Sequence, residues 1–144
     1  MDNPIISWYI YDNDEYIQEE DYYLGSYNSN SQIQLNIQVW NNRYGSKEVE
    51  TIKDTRFVVF FDNIEDAALL KYCSISIDNS SFIEPEIELD RAIFNIGELS
   101  GQINDGLETD NNKINYKNIC LLFSDFDGIL KNGLKNMYLD IEIN

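Results

Sequence analysis

Clustered carboxylates are the first residues in this chain with the makings of a reactive or binding site. Asp12, Asp14 and Glu15 fall together, as do Asp125 and Asp127 ahead of Gly128, and Glu108 with Asp110. Calcium takes roughly six to eight oxygens, and an EF-hand loop closes on a bidentate glutamate. DFDGILKNGLKN offers two acids, then glycine, then lysines, so it lacks both a third ligand and that closing glutamate. Paired carboxylates also serve glycoside hydrolysis, but no cleft signature accompanies these. The chain has no histidine, which removes the usual partner of a nucleophilic serine or cysteine and the commonest zinc ligand. Its seven glycines are dispersed singly, so no phosphate-cradling loop is present. The expectation is a protein that is not an enzyme, with no cofactor, no metal and no small-molecule substrate.

Recognition chemistry is better represented. In SQIQLNIQVWNN, Ile33, Leu35, Ile37 and Val39 alternate with Gln32, Gln34, Asn36 and Gln38. The apolar set reads as core. The other face is made of neutral amides and runs on to Trp40 and Tyr44, which suits contact with a protein or a sugar because no ion has to be desolvated. Seven of the ten tyrosines lie in the first 44 residues. Tyrosine brings large contact area at low entropy cost with a polar tip. The expected partner-binding residues are Trp8, Tyr9, Tyr11, Tyr16, Tyr22 and Tyr23 in the leading segment, with Gln32, Gln34, Asn36, Gln38, Trp40 and Tyr44 on the amide strand.

A net charge of −16 repels phosphate backbones and argues against nucleic acid as a partner. The charge is uneven: residues 1–30 hold seven acids and no base, and residues 62–110 sum to −10. No apolar run approaches the ~18 residues that cross a bilayer, so no membrane partner is expected. The leading residues have neither a basic n-region nor a small-residue cleavage site, which leads to the expectation of synthesis in the cytoplasm. Cys73 and Cys120 sit in strand-like runs and read as two buried free thiols rather than a disulfide.

The elements that must position these groups are strands, since the dominant period is two. IISWYIY (5–11) suits one short strand within an N-terminal arm spanning 1–30, and residues 31–144 form the body. RFVVFF (56–61) and NICLLF (118–123) are continuously apolar, as central strands covered on both faces would be. DNIEDAALLKY predicts one short helix near 62–72. CSISID, EPEIELD, AIFNIGEL and NMYLDIEI supply further strands, with acids outward at Glu84, Glu86, Glu88 and Asp90. The expected fold is all-β: an Ig-like antiparallel β-sandwich of about seven or eight strands.

The alternating strands QIQLNIQVW and NMYLDIEI, the buried RFVVFF and NICLLF, and an unpaired N-terminal arm together resemble the small accessory virion proteins of tailed bacteriophages, such as Ig-like capsid decoration proteins and neck, tail or baseplate subunits. The resemblance implies a non-enzymatic structural protein, made in the host bacterial cytoplasm and carried in the virion. Many copies would bind other virion proteins in a symmetric assembly, through the arm and the amide face. A carbohydrate- or receptor-binding β-sandwich module is the alternative, using Trp40, Tyr44 and the neighbouring amides.

Overall fold

Alternation of apolar and polar residues builds ten strands in the computed structural model, which describes residues 1–10, 15–17, 22–27, 32–61, 70–124 and 135–143. The strands are β1 (Ile6–Ile10), β2 (Glu15–Ile17), β3 (Tyr22–Tyr27), β4 (Gln32–Asn41), β5 (Ile52–Phe61), β6 (Cys73–Ile77), β7 (Glu86–Glu88), β8 (Arg91–Leu99), β9 (Tyr116–Ser124) and β10 (Lys135–Ile143). They form two five-stranded antiparallel sheets, in the orders β2-β1-β4-β9-β6 and β3-β10-β5-β8-β7. The molecule is thus an all-β sandwich. Among the described strands, only the β1–β2 and β7–β8 hairpins join consecutive neighbours within a sheet. Every other connection passes from one sheet to the other.

The core lies between the sheets. Ile37, Val39, Ile75, Ile119, Leu121 and Phe123 face inward from the first, and Phe57, Val59, Phe94, Ile96 and Leu139 from the second. Phe61 meets Phe123 edge-on at 5.8 Å across the gap, and Phe57 meets Phe94 at 6.4 Å within the second sheet. Such pairs add about 0.5–1.5 kcal/mol each beyond the area they bury.

Several sequence expectations change here. β5 is the middle strand of its sheet and is buried on both faces at Phe57, Val58 and Val59. NICLLF is buried on one face only, because Cys120 and Leu122 turn outward and are half-exposed. The leading segment holds three strands where one was expected. β1 pairs along β4, β2 pairs along β1, and β3 pairs with β10. Trp8 belongs to the main core. The reason is burial: an apolar, aromatic run gains more against β4 than in water, while β2 and β3 are too short and too polar to show a period of their own. Most of the expected helix, residues 62–69, lies outside the described residues, and Leu70–Tyr72 form a 3-10 turn with Leu70 buried.

Trp8→Ala is expected to lower stability by about 3–5 kcal/mol, read as a shift of the urea midpoint. Deletion of 1–30, which removes β1, β2 and β3, is expected to abolish the cooperative transition.

Candidate functional site

β4 places Gln34, Asn36, Gln38 and Trp40 on the outer face of the first sheet, and register brings Asn118, Cys120 and Leu122 of β9, then Ser74 and Ser76 of β6, onto that same face. The face divides in two. At one end Gln38 and Trp40 are buried, at 2% and 0% exposure. Trp40 stacks on Tyr116 at 4.4 Å and donates from Nε1 to Gln38 Oε1 at 2.6 Å. Gln38 Nε2 donates to Glu108 Oε1 at 2.7 Å and to Asn118 Oδ1 at 2.9 Å. The primary amide is therefore fully used within the molecule, as a buried polar group must be. Arg43 closes this end: its guanidinium lies 4.4 Å from the Tyr9 ring centre, 4.7 Å from Trp40 and 5.1 Å from Tyr44, with Nε donating to Gly106 O at 3.1 Å.

This corrects part of the expected binding surface. Trp8 and Trp40 are interior, Gln38 is a buried linker, and Tyr9 is half-buried beneath Arg43. Tyr44 is exposed, with its ring against Gly106. Tyr16 stands opposite Tyr9, Tyr23 opposite Tyr138, and Tyr22 opposite Leu139 in the strand register. Tyr11 and the side chains of Tyr16, Tyr22, Tyr23 and Gln32 lie outside what the structure describes, as do Asp12, Asp14, Asp125 and Asp127. Of the remaining carboxylate pair, Glu108 accepts from Gln38 and Asp110 pairs with Lys113 at 3.2 Å. Among the described residues no group of three His, Cys, Asp or Glu side chains is placed to hold a metal.

Segment 99–116 covers the closed end, and asparagines hold it there. A segment outside the sheets has carbonyls without strand partners, and those that are buried each need a donor. Asn41 Nδ2 donates to Glu50 O and Leu99 O, while its Oδ1 accepts from the Ile5 N–H. Asn42 Nδ2 reaches Lys47 O and Gly101 O at 2.8 and 3.0 Å. Asn115 Nδ2 donates to Asn41 O, Ser100 O and Gln102 O, and Asn104 bridges Asn42 O to the N–H groups of Tyr44 and Gly106. The Asn112 amide, then the Leu107 N–H, holds the Asp105 carboxyl below the usual carboxylate range. A depressed carboxyl stabilises at neutral pH, and the contribution is lost as pH falls through its folded-state value. Asp105 is exposed, so the effect is small.

At the other end the face stays open. A groove of about 150 Å³ is lined by Asn36, Ser76, Asn79, Asn118 and Cys120. It adjoins a hollow of about 200 Å³ that shares Asn79 and Asn118 and adds Asp78, Lys113 and Tyr116. The first groove has no charged lining residue, and the Gln34 amide points at the Cys120 sulfur from 3.8 Å. Amides and hydroxyls can donate and accept here; among the described residues lining the groove none is a base that could activate the thiol. Ser76, Asn79, Asn118 and Cys120 were not identified from the sequence, because only strand order reveals which strands lie beside β4.

No protein-family model, curated protein or solved structure matches the chain.

Both cysteines are free, and they lie on opposite faces of the first sheet. Burial pushes the Cys73 thiol far up, while Cys120 is half-exposed. A thiol reagent should label Cys120 in the native protein and reach Cys73 only in denaturant; mass spectrometry of the labelled peptides distinguishes them. Asn41→Ala is expected to cost about 2–3 kcal/mol by leaving buried backbone groups unpaired, measured by chemical denaturation.

Proposed function

We propose that the protein is a non-enzymatic binding subunit that meets another protein through the open outer face of β4, β9 and β6, in the manner of an accessory virion component. One observation carries the reading. In a chain with a net charge of −16, the groove beside Asn36, Asn118 and Cys120 has no charged lining residue. An uncharged hydrogen-bonding groove can be covered without desolvating an ion, while the acidic remainder repels wrong partners. The carbohydrate alternative loses its support at the aromatic end: Trp40 is buried between Tyr116 and Arg43, and Arg43 also lies over Tyr44. No open pair of rings is left there to stack on a sugar.

The virion assignment rests on the resemblance of the alternating and buried strands to such subunits and on the acidic composition. In this role many copies would dock on a scaffold of other virion proteins, each through the same face.

Particles released from cells that carry the gene, purified on a density gradient and analysed by mass spectrometry, are expected to contain the chain in many copies. Gln34→Lys combined with Asn36→Lys should leave the circular dichroism and melting temperature of the isolated protein unchanged. The same pair should lower incorporation by about tenfold. Particles without the chain, or undiminished incorporation of the lysine variant, would remove the reading.

A further inference from the structure

The acidic run at 84–90 sits where a strand can be added. β7 ends the second sheet and pairs with β8 alone among the described residues, none of which hydrogen-bonds along its other edge as a strand. The chain reaches it from the other sheet: Ile83 exchanges backbone hydrogen bonds with Ile75 beside β6, at 2.7 and 3.2 Å, and Pro85 then leads into β7. This strap bounds a cleft of about 300 Å³ lined by Lys71, Tyr72, Glu84, Pro85 and Ile87.

Two features distinguish this edge from one that is merely guarded. First, large apolar side chains are displayed before and among the carboxylates. Phe82, Ile83 and Ile87 are 50%, 41% and 45% exposed, and Glu84, Glu86 and Glu88 are exposed beside them. Second, Leu89 occupies the first turn position of the β7–β8 hairpin with φ 55° and is 93% exposed. That conformation favours glycine or asparagine and costs a branched residue about 1–2 kcal/mol. A leucine held there, uncovered, gives nothing to the core. Neither do the four carboxylates: none of Glu84, Glu86, Glu88 and Asp90 is in a salt bridge with another described residue.

We propose that β7 is a docking edge for an extended segment of a partner protein in which lysine or arginine alternates with aliphatic residues. Strand addition supplies backbone hydrogen bonds, and alternate side chains then fall on opposite faces. Ile87 stands opposite Ala92, which faces the core, whereas Glu86 stands opposite Ile93 on the outer face. The added strand would therefore send its aliphatic residues toward Ile87 and the cleft, and its cations toward Glu86 and Glu88. Charge selects the occupant. A second copy of this chain brings its own net charge of −16 and is repelled, while a basic strand is attracted. The surface is separate from the amide face, so failure of one proposal leaves the other standing.

The test uses a fluorescein-labelled hexapeptide, Lys-Val-Lys-Val-Lys-Val, with its block isomer Lys-Lys-Lys-Val-Val-Val and the acidic Glu-Val-Glu-Val-Glu-Val as comparisons. Anisotropy titration of the full chain should show the alternating peptide binding about tenfold tighter than the block isomer, with no binding of the acidic one. Binding should protect the amides of 86–88 from hydrogen exchange. Glu86→Lys with Glu88→Lys should abolish binding, and the milder Glu86→Gln with Glu88→Gln should weaken it. Glu48→Lys with Glu50→Lys, an equal charge change at exposed residues elsewhere, should leave affinity within about twofold. Equal binding of the two basic isomers, equal loss in the Glu48/Glu50 variant, protection away from β7, or dimers of the unliganded chain in sedimentation would each overturn the proposal.

Discussion

Buried backbone carbonyls without strand partners are the constraint on which the distinctive half of this molecule rests. Segment 99–116 lies across one end of a sheet rather than within it, and its peptide groups still have to be satisfied. Asn41, Asn42, Asn104 and Asn115 do this by acting as side-chain peptides, several of them donating to two or three carbonyls at once. Because that segment is held down, Trp40 and Gln38 are covered by Tyr116 and Glu108. The opening beside Asn36 and Cys120 begins where the cover stops. An asparagine-rich composition is thus a structural necessity in this region, whatever its origin in codon usage.

Position within a sheet explains why two alternating strands carry such different outer faces. β4 is the middle strand of the first sheet, with β1 and β9 on either side, so its backbone offers nothing to a stray strand and its outer residues need no charge. β7 is an edge, and there glutamates prevent indiscriminate pairing. Read from the sequence alone, the amide face is an anomaly in an acidic protein. Read with the strand order, the distribution of charge follows backbone availability.

The period of two made the sandwich legible from sequence, and so did the burial of Ile37, Val39, Phe57, Val59, Leu121 and Phe123. What stayed hidden was pairing. Alternation says that Asn36 and Cys120 each point out of some sheet, but not that they lie side by side. It also cannot distinguish Gln34, which faces solvent, from Gln38, which lies beneath Glu108 and Trp40. Trp40 illustrates the same point: it occupies an outward position on its strand yet is wholly buried, because a distant segment returns to cover it. Two of the three strands of the leading segment were hidden for a related cause. β2 and β3 are recognisable only through the partners they find in β1 and β10.

The route of the chain has a further consequence. β3 is flanked by β10, and β5 needs β10 on one side, while β4 needs β9. Among the described strands β10 leaves the ribosome last, so β3 and β5 emerge well before the neighbour they share. The second layer cannot close until β10 has been translated, whereas the first waits only for β9. Folding is therefore expected to be slow, as for other topologies dominated by distant pairings. In the interval the nascent polypeptide depends on its crowd of carboxylates to stay apart from its siblings.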